Sequence, residues 1–121
     1  MKKHSLFRSF GYALRGIKFT LKNERNFQIE LFAFLLNVLL IFWLPLKSWE
    51  IVAILGACFL VLVAELINTA IEKLCDFVQP TYHIKIKMVK DISAGAVLIT
   101  AFMALILGII IYFPHLKSWI F

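Results

Sequence analysis

The chain has 121 residues, of which 62% are hydrophobic and only 17% are charged, and its formal net charge is +6. A soluble domain of this size needs a larger polar surface, so the composition excludes an ordinary soluble protein and favours a membrane protein. The length fits one domain, residues 1–121, and the basic residues flank apolar segments, which favours contacts with anionic lipid rather than with nucleic acid.

The first predicted element is an amphipathic helix over about residues 5–22. One face carries Leu6, Phe10, Leu14, Ile17 and Leu21, and the opposite face carries Arg8, Arg15, Lys18 and Lys22. A basic amphipathic helix beside membrane spans typically lies in the headgroup plane. The pattern leaves open whether this helix only anchors the protein or also contributes to an active site.

Three apolar segments follow, at about residues 27–44, 51–70 and 92–113. Each has close to the 20 residues that a bilayer requires. Pro45 is expected to stop the first segment and Pro114 the third. The predicted fold is therefore all-α: an N-terminal amphipathic surface helix plus three transmembrane helices.

The distribution of Lys and Arg predicts the orientation. Seven of them precede the first span, and the predicted polar loop Asp76–Asp91 adds Lys85, Lys87 and Lys90. The opposite side holds only Lys47 and Lys117. By the positive-inside rule the N-terminus and this loop are cytoplasmic in a multi-pass protein.

The end of the second span carries four polar side chains on one stripe of a helix: Glu65, Asn68, Glu72 and Asp76. Glu65 falls where the span should still be in lipid. An ionisable residue at that depth is expensive and indicates function by default. A carboxylate there could accept a proton from a lipid hydroxyl at the headgroup boundary.

Most of the acidic residues are predicted to gather at this same boundary. Six of the seven Asp and Glu residues lie there, and only Glu50 lies on the far side. Carboxylate oxygens with few His or Cys residues nearby suit Mg²⁺, which proteins often hold with one or two carboxylates and substrate phosphates. Lys85, Lys87 and Lys90 could face those phosphates or anchor in lipid headgroups.

Two other interpretations stay open at this point. Interfacial carboxylates often only pair with basic residues, and Asp76 with Lys73 is the obvious candidate pair. Glu65 has no basic residue within two turns, so this interpretation is weakest there. A small proton-coupled transporter could also use Glu65 as its proton site, although it would not need Glu72, Lys90 and Asp91 at one face.

Several strings together resemble the bacterial diacylglycerol kinase and undecaprenol kinase family of small integral membrane lipid kinases. The strings are AELINTAIEKLCD at Ala64–Asp76, TYH at Thr81–His83, KDISAGAV at Lys90–Val97, NERNFQIE at Asn23–Glu30 and YALRG at Tyr12–Gly16. The resemblance covers about residues 7–114 without gaps. It implies a homotrimer in the bacterial cytoplasmic (inner) membrane, with active sites shared between subunits, that phosphorylates a lipid alcohol with ATP and Mg²⁺.

The resemblance also implies roles for individual residues. Glu65 resembles the catalytic base, and Glu24 and Glu72 resemble the metal-binding pair. Catalytic positions of the family further match Asn68, Lys90 and Asp91. Nucleotide-contacting positions match Tyr12, Glu24, Glu72, Asp76, Thr81, Tyr82, His83, Lys90 and Asp91. Lipid-facing positions match Asn26, Phe27, Gln28, Ile29, Glu30, Glu65 and Ala94.

One position departs from the family pattern. Ser5 aligns with an N-terminal Arg that contacts substrate in the enterobacterial branch, while Arg8 lies one turn further on. The strings ERNFQ, NTAIE and AGAV resemble the Gram-positive-type undecaprenol kinases more closely. We therefore expect undecaprenol as the substrate, with diacylglycerol as the alternative.

Overall fold

The structure is a computed structural model that describes residues 5–121. It contains four α-helices in chain order: α1 Leu6–Asn23, α2 Arg25–Trp43, α3 Ser48–Val78 and α4 Ile84–Ile120. Residues 5–121 include no strand, so the predicted all-α fold is confirmed. Helices α2, α3 and α4 are each long and apolar enough to cross a membrane, as predicted.

Helix α1 is the predicted surface helix. It begins after Ser5, whose Oγ accepts a hydrogen bond from the backbone N–H of Arg8 at 3.3 Å. Ser5 thus has a local role as the helix N-cap. Apart from Thr20, every residue of α1 is at least partly exposed, and Leu6 and Phe7 are almost fully so. An apolar face left uncovered by the rest of the chain is what a helix lying on lipid requires.

A single residue, Glu24, separates α1 from α2. Its backbone is extended and its N–H donates to the carbonyl of Thr20 at 2.9 Å. From the first turn of α2, Gln28 Nε2 reaches back to the carbonyl of Leu21 at 2.8 Å. These two bonds satisfy carbonyls at the end of α1 and fix the angle at which α2 leaves the surface helix.

Helix α3 is the centre of the bundle. Both α2 and α4 pack along α3, whereas the backbones of α2 and α4 stay apart and meet through side chains such as Trp43 and Trp119. Most of the buried residues lie on α3, and the α2 contact includes Phe34 against Phe59 with ring centroids 5.1 Å apart. We call the end that holds Glu24, the last turns of α3 and the first turns of α4 the proximal end. The end that holds the α2–α3 turn is the distal end.

The prediction of a polar loop over Asp76–Asp91 is wrong. Helix α3 continues through Asp76 to Val78 and α4 begins at Ile84, so the connection is only Gln79–His83. The 31 residues of α3 span roughly 46 Å, which exceeds the roughly 30 Å hydrocarbon core of a bilayer. The polar residues mark helix that projects beyond the hydrocarbon rather than a break in it.

Pro114, predicted to end the third span, does not end the helix, because α4 passes through this proline to Ile120. Proline removes one helical hydrogen bond, but the turns beyond it make contacts that offset the loss. Trp119 meets Trp43 edge-on with ring centroids 5.2 Å apart. Pro45 does end α2, since the preceding Leu44 is extended as residues before proline usually are.

The distal end, where Trp119 meets Trp43, also holds a buried carboxylate. Glu50 accepts a hydrogen bond from the backbone N–H of Lys47 at 2.9 Å, and its other oxygen lies 3.4 Å from Nε2 of His115. Lys47 is the N-cap of α3 but its side chain has no acceptor. Glu50 is therefore the side chain that caps this helix, and it also ties α3 to the end of α4.

We expect Glu50→Ala to lower the thermal unfolding midpoint in detergent by roughly 4 °C or more, because the helix loses its only side-chain cap and its contact with His115. Circular dichroism at 222 nm would measure it. Lys117→Gln is the control, since Lys117 is exposed at the same end and has no ion pair among residues 5–121. Equal midpoints for Glu50→Ala and the wild type would contradict this role.

Candidate active site

Glu65 lies on α3 with only 4% of its surface exposed. Its carboxylate makes no hydrogen bond or ion pair within residues 5–121, yet the negative charges of Glu30, Glu72 and Glu24 act on it. A buried carboxylate usually has a hydrogen-bonding or charged partner. Glu65 thus differs from most buried carboxylates, because within residues 5–121 it has neither kind of partner.

The Glu65 side chain opens into a recess of about 250 Å³ at the proximal end, which we call the carboxylate recess. It is lined by Asn26, Ile29, Glu30, Glu65, Ala94, Val97, Leu98 and Ala101. The residues of α4 in this wall are small or aliphatic, so a lipid headgroup region could approach Glu65 from the membrane side. The recess combines an apolar approach with a carboxylate at its base.

A chain of hydrogen bonds runs beside Glu65. Ser93 Oγ on α4 donates to Asn68 Oδ1 at 2.7 Å, and Asn68 Nδ2 donates to Glu72 Oε1 at 3.2 Å. Ser93 and Asn68 are both buried. Because the amide of Asn68 is held by both neighbours, the orientation of Glu72 is coupled to the packing of α3 on α4.

The predicted pairing of Asp76 with Lys73 is replaced by two other ion pairs. Lys90 Nζ on α4 donates to Asp76 Oδ1, and Lys73 Nζ lies 3.7 Å from Glu24 Oε1. Lys73 also lies over the ring of Phe19, 5.8 Å from its centroid. Lys73 and Asp76 are neighbours on the surface of α3, but each pairs with a different element. Asp76 pairs with α4, and Lys73 pairs with the α1–α2 junction.

These ion pairs set the charge state of the proximal surface. The hydrogen bond from Lys90 holds the pKa of the Asp76 carboxyl below its usual range, so this group is ionised at neutral pH. Asp91 pairs with Lys87 one turn away at 2.7 Å, and both are exposed. Lys90 is therefore the lysine that faces the carboxylate stripe, whereas Lys87 and Asp91 face outward from α4.

The two predicted metal ligands, Glu24 and Glu72, both lie at the proximal end. The contact between Lys73 and Glu24 brings the α1–α2 junction to the turn of α3 that carries Glu72. Residues 5–121 contain no group of three or more His, Cys, Asp or Glu side chains arranged to hold a metal ion. A pair of carboxylates still fits Mg²⁺, which takes its other ligands from water and phosphate oxygens.

Three of the residues predicted to contact nucleotide, Thr81, Tyr82 and His83, lie in the short α3–α4 connection. Thr81 Oγ1 accepts from Gln79 Nε2 at 2.8 Å, and Tyr82 is largely exposed. His83 caps α4, with Nδ1 accepting from the backbone N–H of Lys85 at 3.1 Å. Tyr12 lies on α1 with the Arg15 guanidinium 5.6 Å from its ring centroid. Their nucleotide roles stay predictions.

The residues predicted to face the lipid divide into two sets. Asn26, Ile29, Glu30, Glu65 and Ala94 line the carboxylate recess. The other two do not, because Phe27 is buried in the protein and Gln28 is bonded to α1. Phe27 and Gln28 therefore fix where α2 starts, and the first set is the one placed to meet a ligand.

Ser93 was absent from the predicted site. It lies three residues after Lys90, so the two side chains share one face of α4. A polar residue on that face is the sequence feature that could have indicated Ser93 as part of the site. A serine among Ala and Gly is also what close helix packing requires, and this is why its partner on α3 could not be inferred.

Comparison with known proteins identifies this arrangement. The family model of prokaryotic diacylglycerol kinase matches residues 11–112, which include every acidic residue of the proximal end. The chain belongs to that family.

Individual relatives agree with the assignment. The chain is 38% identical over 113 residues to undecaprenol kinase of Bacillus subtilis, covering 91% of this chain and 89% of that protein. It is 31% identical over 110 residues to diacylglycerol kinase of Escherichia coli, covering 91% and 90%. Diacylglycerol kinase of Synechocystis is 35% identical over 115 residues, which cover 94% of this chain but 66% of that protein.

Family membership makes the chain a lipid kinase, a phosphotransferase that acts on an alcohol group with ATP as the phosphoryl donor. The predicted family and the predicted class of enzyme are confirmed. A proton-coupled transporter is no longer needed to explain a carboxylate within a membrane helix. The three apolar helices agree with the integral membrane character of this kinase.

We expect Ser93→Ala to lower kcat by roughly three- to tenfold, because losing one buried hydrogen bond of about 1 kcal/mol leaves Asn68 and Glu72 less well oriented. Ser93→Thr keeps the hydroxyl and should recover part of the loss. Steady-state kinetics in detergent micelles with saturating ATP would measure both variants. Wild-type kcat in Ser93→Ala would show that the hydrogen-bond chain has no part in turnover.

Proposed function

We propose that the protein phosphorylates the hydroxyl of a membrane lipid alcohol with Mg²⁺ and ATP, and that its preferred alcohol is undecaprenol, which becomes undecaprenyl phosphate. The observation that carries the proposal is Glu65, a buried carboxylate without a hydrogen-bonding partner in residues 5–121, in a recess whose α4 wall is apolar. The similarity to the Bacillus undecaprenol kinase supports the choice of alcohol. Diacylglycerol is the second candidate, supported by the Escherichia relative.

In this proposal Glu65 accepts the proton of the lipid hydroxyl while the oxygen of that hydroxyl attacks the γ-phosphorus of ATP. A bond forms between that oxygen and phosphorus, the bond from phosphorus to the β–γ bridging oxygen breaks, and ADP leaves. The burial of Glu65 beside the carboxylate recess supports its role as the base that meets the hydroxyl of a membrane lipid. Positioning and electrostatic stabilisation supply most of the rate in such a transfer.

Glu24 and Glu72 are the residues that would hold Mg²⁺, which when bound neutralises charge on the triphosphate. The ion pair between Lys73 and Glu24 supports this assignment, because it brings the junction of α1 and α2 to the turn of α3 that carries Glu72. Lys90, shared with Asp76, would offset charge on the phosphoryl group in transfer. Thr81, Tyr82, His83 and Tyr12 would contact the nucleotide, and Asn68 would orient Glu72.

The proposed assembly is a homotrimer with sites shared between subunits. One protomer leaves the nucleotide-contacting connection Gln79–His83 and the recess open on their outer sides, which agrees with a site completed by a neighbour. We place the protein in the bacterial cytoplasmic membrane with its N-terminus inside. The excess of Lys and Arg at the proximal end supports this orientation.

The proposal predicts transfer of label from γ-labelled ATP to undecaprenol in micelles, with slower transfer to diacylglycerol. Glu65→Gln should reduce transfer by at least roughly a hundredfold, because an amide cannot accept the proton. Glu50→Gln is the matched control: it is the same substitution in a buried glutamate at the distal end, and Gln still accepts from Lys47. Substantial activity in Glu65→Gln, with the oligomer intact, would contradict the assignment of the base.

The metal assignment gives a separate prediction. Glu24→Gln and Glu72→Gln should each raise the Mg²⁺ concentration for half-maximal rate by roughly tenfold or more, because a carboxylate ligand is lost. Glu50→Gln is the comparison, since this carboxylate lies at the distal end, away from the predicted ligands. A Mg²⁺ dependence equal to that of the wild type in both glutamate variants would exclude these residues as ligands.

A further inference from the structure

A second and larger cavity runs along the bundle between α2 and α4, with α3 as its floor, and has a volume of about 530 Å³. We call it the α2–α4 groove. It shares the lining residues Glu30 and Ala101 with the carboxylate recess, so the two cavities adjoin. Because the backbones of α2 and α4 stay apart, the groove lies between them on the side of the protein where membrane lipid would lie.

The groove fits a hydrocarbon chain. Its lining on α4 extends from Ala101 to Leu116, roughly 22 Å at the helical rise, and its floor on α3 includes Ile54, Ala57 and Val61. A groove that starts at the proton acceptor of the kinase and leads between apolar walls into the membrane is suited to the tail of the lipid alcohol.

One polar contact crosses this path. Tyr112 Oη on α4 donates to Asn37 Oδ1 on α2 at 2.6 Å, and Asn37 Nδ2 donates to the carbonyl of Ala33 at 2.8 Å. It is the only hydrogen bond between α2 and α4 in residues 5–121. Both side chains satisfy each other, so the bridge holds its geometry in an apolar medium without a ligand.

The position of the bridge gives it a consequence for the substrate. Asn37 lies seven residues from Glu30 on α2, roughly 10 Å along the path from the carboxylate recess. A tail whose hydroxyl is at Glu65 therefore meets the bridge partway along its length. The bridge and the Trp43–Trp119 contact at the distal end both tie α2 to α4. The residues of the bridge line the groove and the two tryptophans do not, so the bridge limits how far the helices separate around the tail.

We propose that the Asn37–Tyr112 bridge is a specificity device that restricts the groove to one hydrocarbon chain, and so favours a single-chain lipid alcohol over a two-chain alcohol. This inference rests on the proposed lipid alcohol kinase activity. Neither residue touches the reacting atoms, so both act through the spacing of α2 and α4. A lipid with two tails beside its hydroxyl needs a wider groove than the bridge permits.

The test compares kcat/KM for undecaprenol with kcat/KM for dioleoylglycerol in mixed micelles. Asn37→Leu and Tyr112→Phe each remove the bridge with little change in volume. Each should shift the ratio toward dioleoylglycerol by roughly three- to tenfold, with the KM for ATP unchanged. The double variant should shift it no further than the stronger single variant, because the two residues form one contact.

Thr100→Val is the matched control. It removes a hydroxyl from the same helix, where that hydroxyl bonds only to the carbonyl of Val97 at 2.8 Å, and Thr100 lines neither cavity. Its substrate ratio should equal that of the wild type. Light scattering on every variant measures the mass of the oligomer.

Two results would overturn the inference while leaving the kinase assignment intact. The first is a substrate ratio in both bridge variants within twofold of the wild type. The second is a changed ratio together with a changed oligomer mass, which would assign the groove to packing against a second copy of the chain. Transfer to neither lipid by the wild-type enzyme would instead refute the proposed function on which the inference rests.

Discussion

The central position of α3 is the constraint on which the rest of the molecule depends. A carboxylate within a membrane helix needs protein around it, and within residues 5–121 α3 is the helix that packs against both of the other apolar helices. Helices α2 and α4 both lie along α3 and leave a groove between them. Glu65 lies where that gap meets the proximal end, so it is buried in the bundle and yet reachable from the membrane.

The second constraint is length. Helices α3 and α4 are both longer than a bilayer is thick, and their excess at the proximal end brings charged side chains of one helix against the other. The Lys90–Asp76 pair forms in this projecting part, while Ser93 and Asn68 meet one turn deeper. The charged surface of the proximal end thereby lies next to the carboxylate recess, which α2 completes on its other side.

The sequence predicts the helices better than their ends. Amphipathic periodicity and apolar length identify α1 and the three spans, because those patterns report burial and lipid contact directly. Helix α3 continues past Asp76 and α4 continues past Pro114, which hydropathy does not predict because it marks where the hydrocarbon ends and not where the helix ends. For the site, the stripe from Glu65 to Asp76 followed from helical spacing. The partner of Asp76 and the role of Ser93 did not, because both depend on how α4 is aligned along α3.

The most direct test of the account is a competition reaction in one bilayer that contains both undecaprenol and diacylglycerol. After incubation with Mg²⁺ and ATP, mass spectrometry identifies which lipid has gained a phosphoryl group, for the wild type and for Glu65→Gln. The account predicts undecaprenyl phosphate as the main product of the wild type and no phosphorylated lipid from the variant. Equal phosphorylation of lipid by both proteins, or ATP consumption with no phosphorylated lipid, would contradict it.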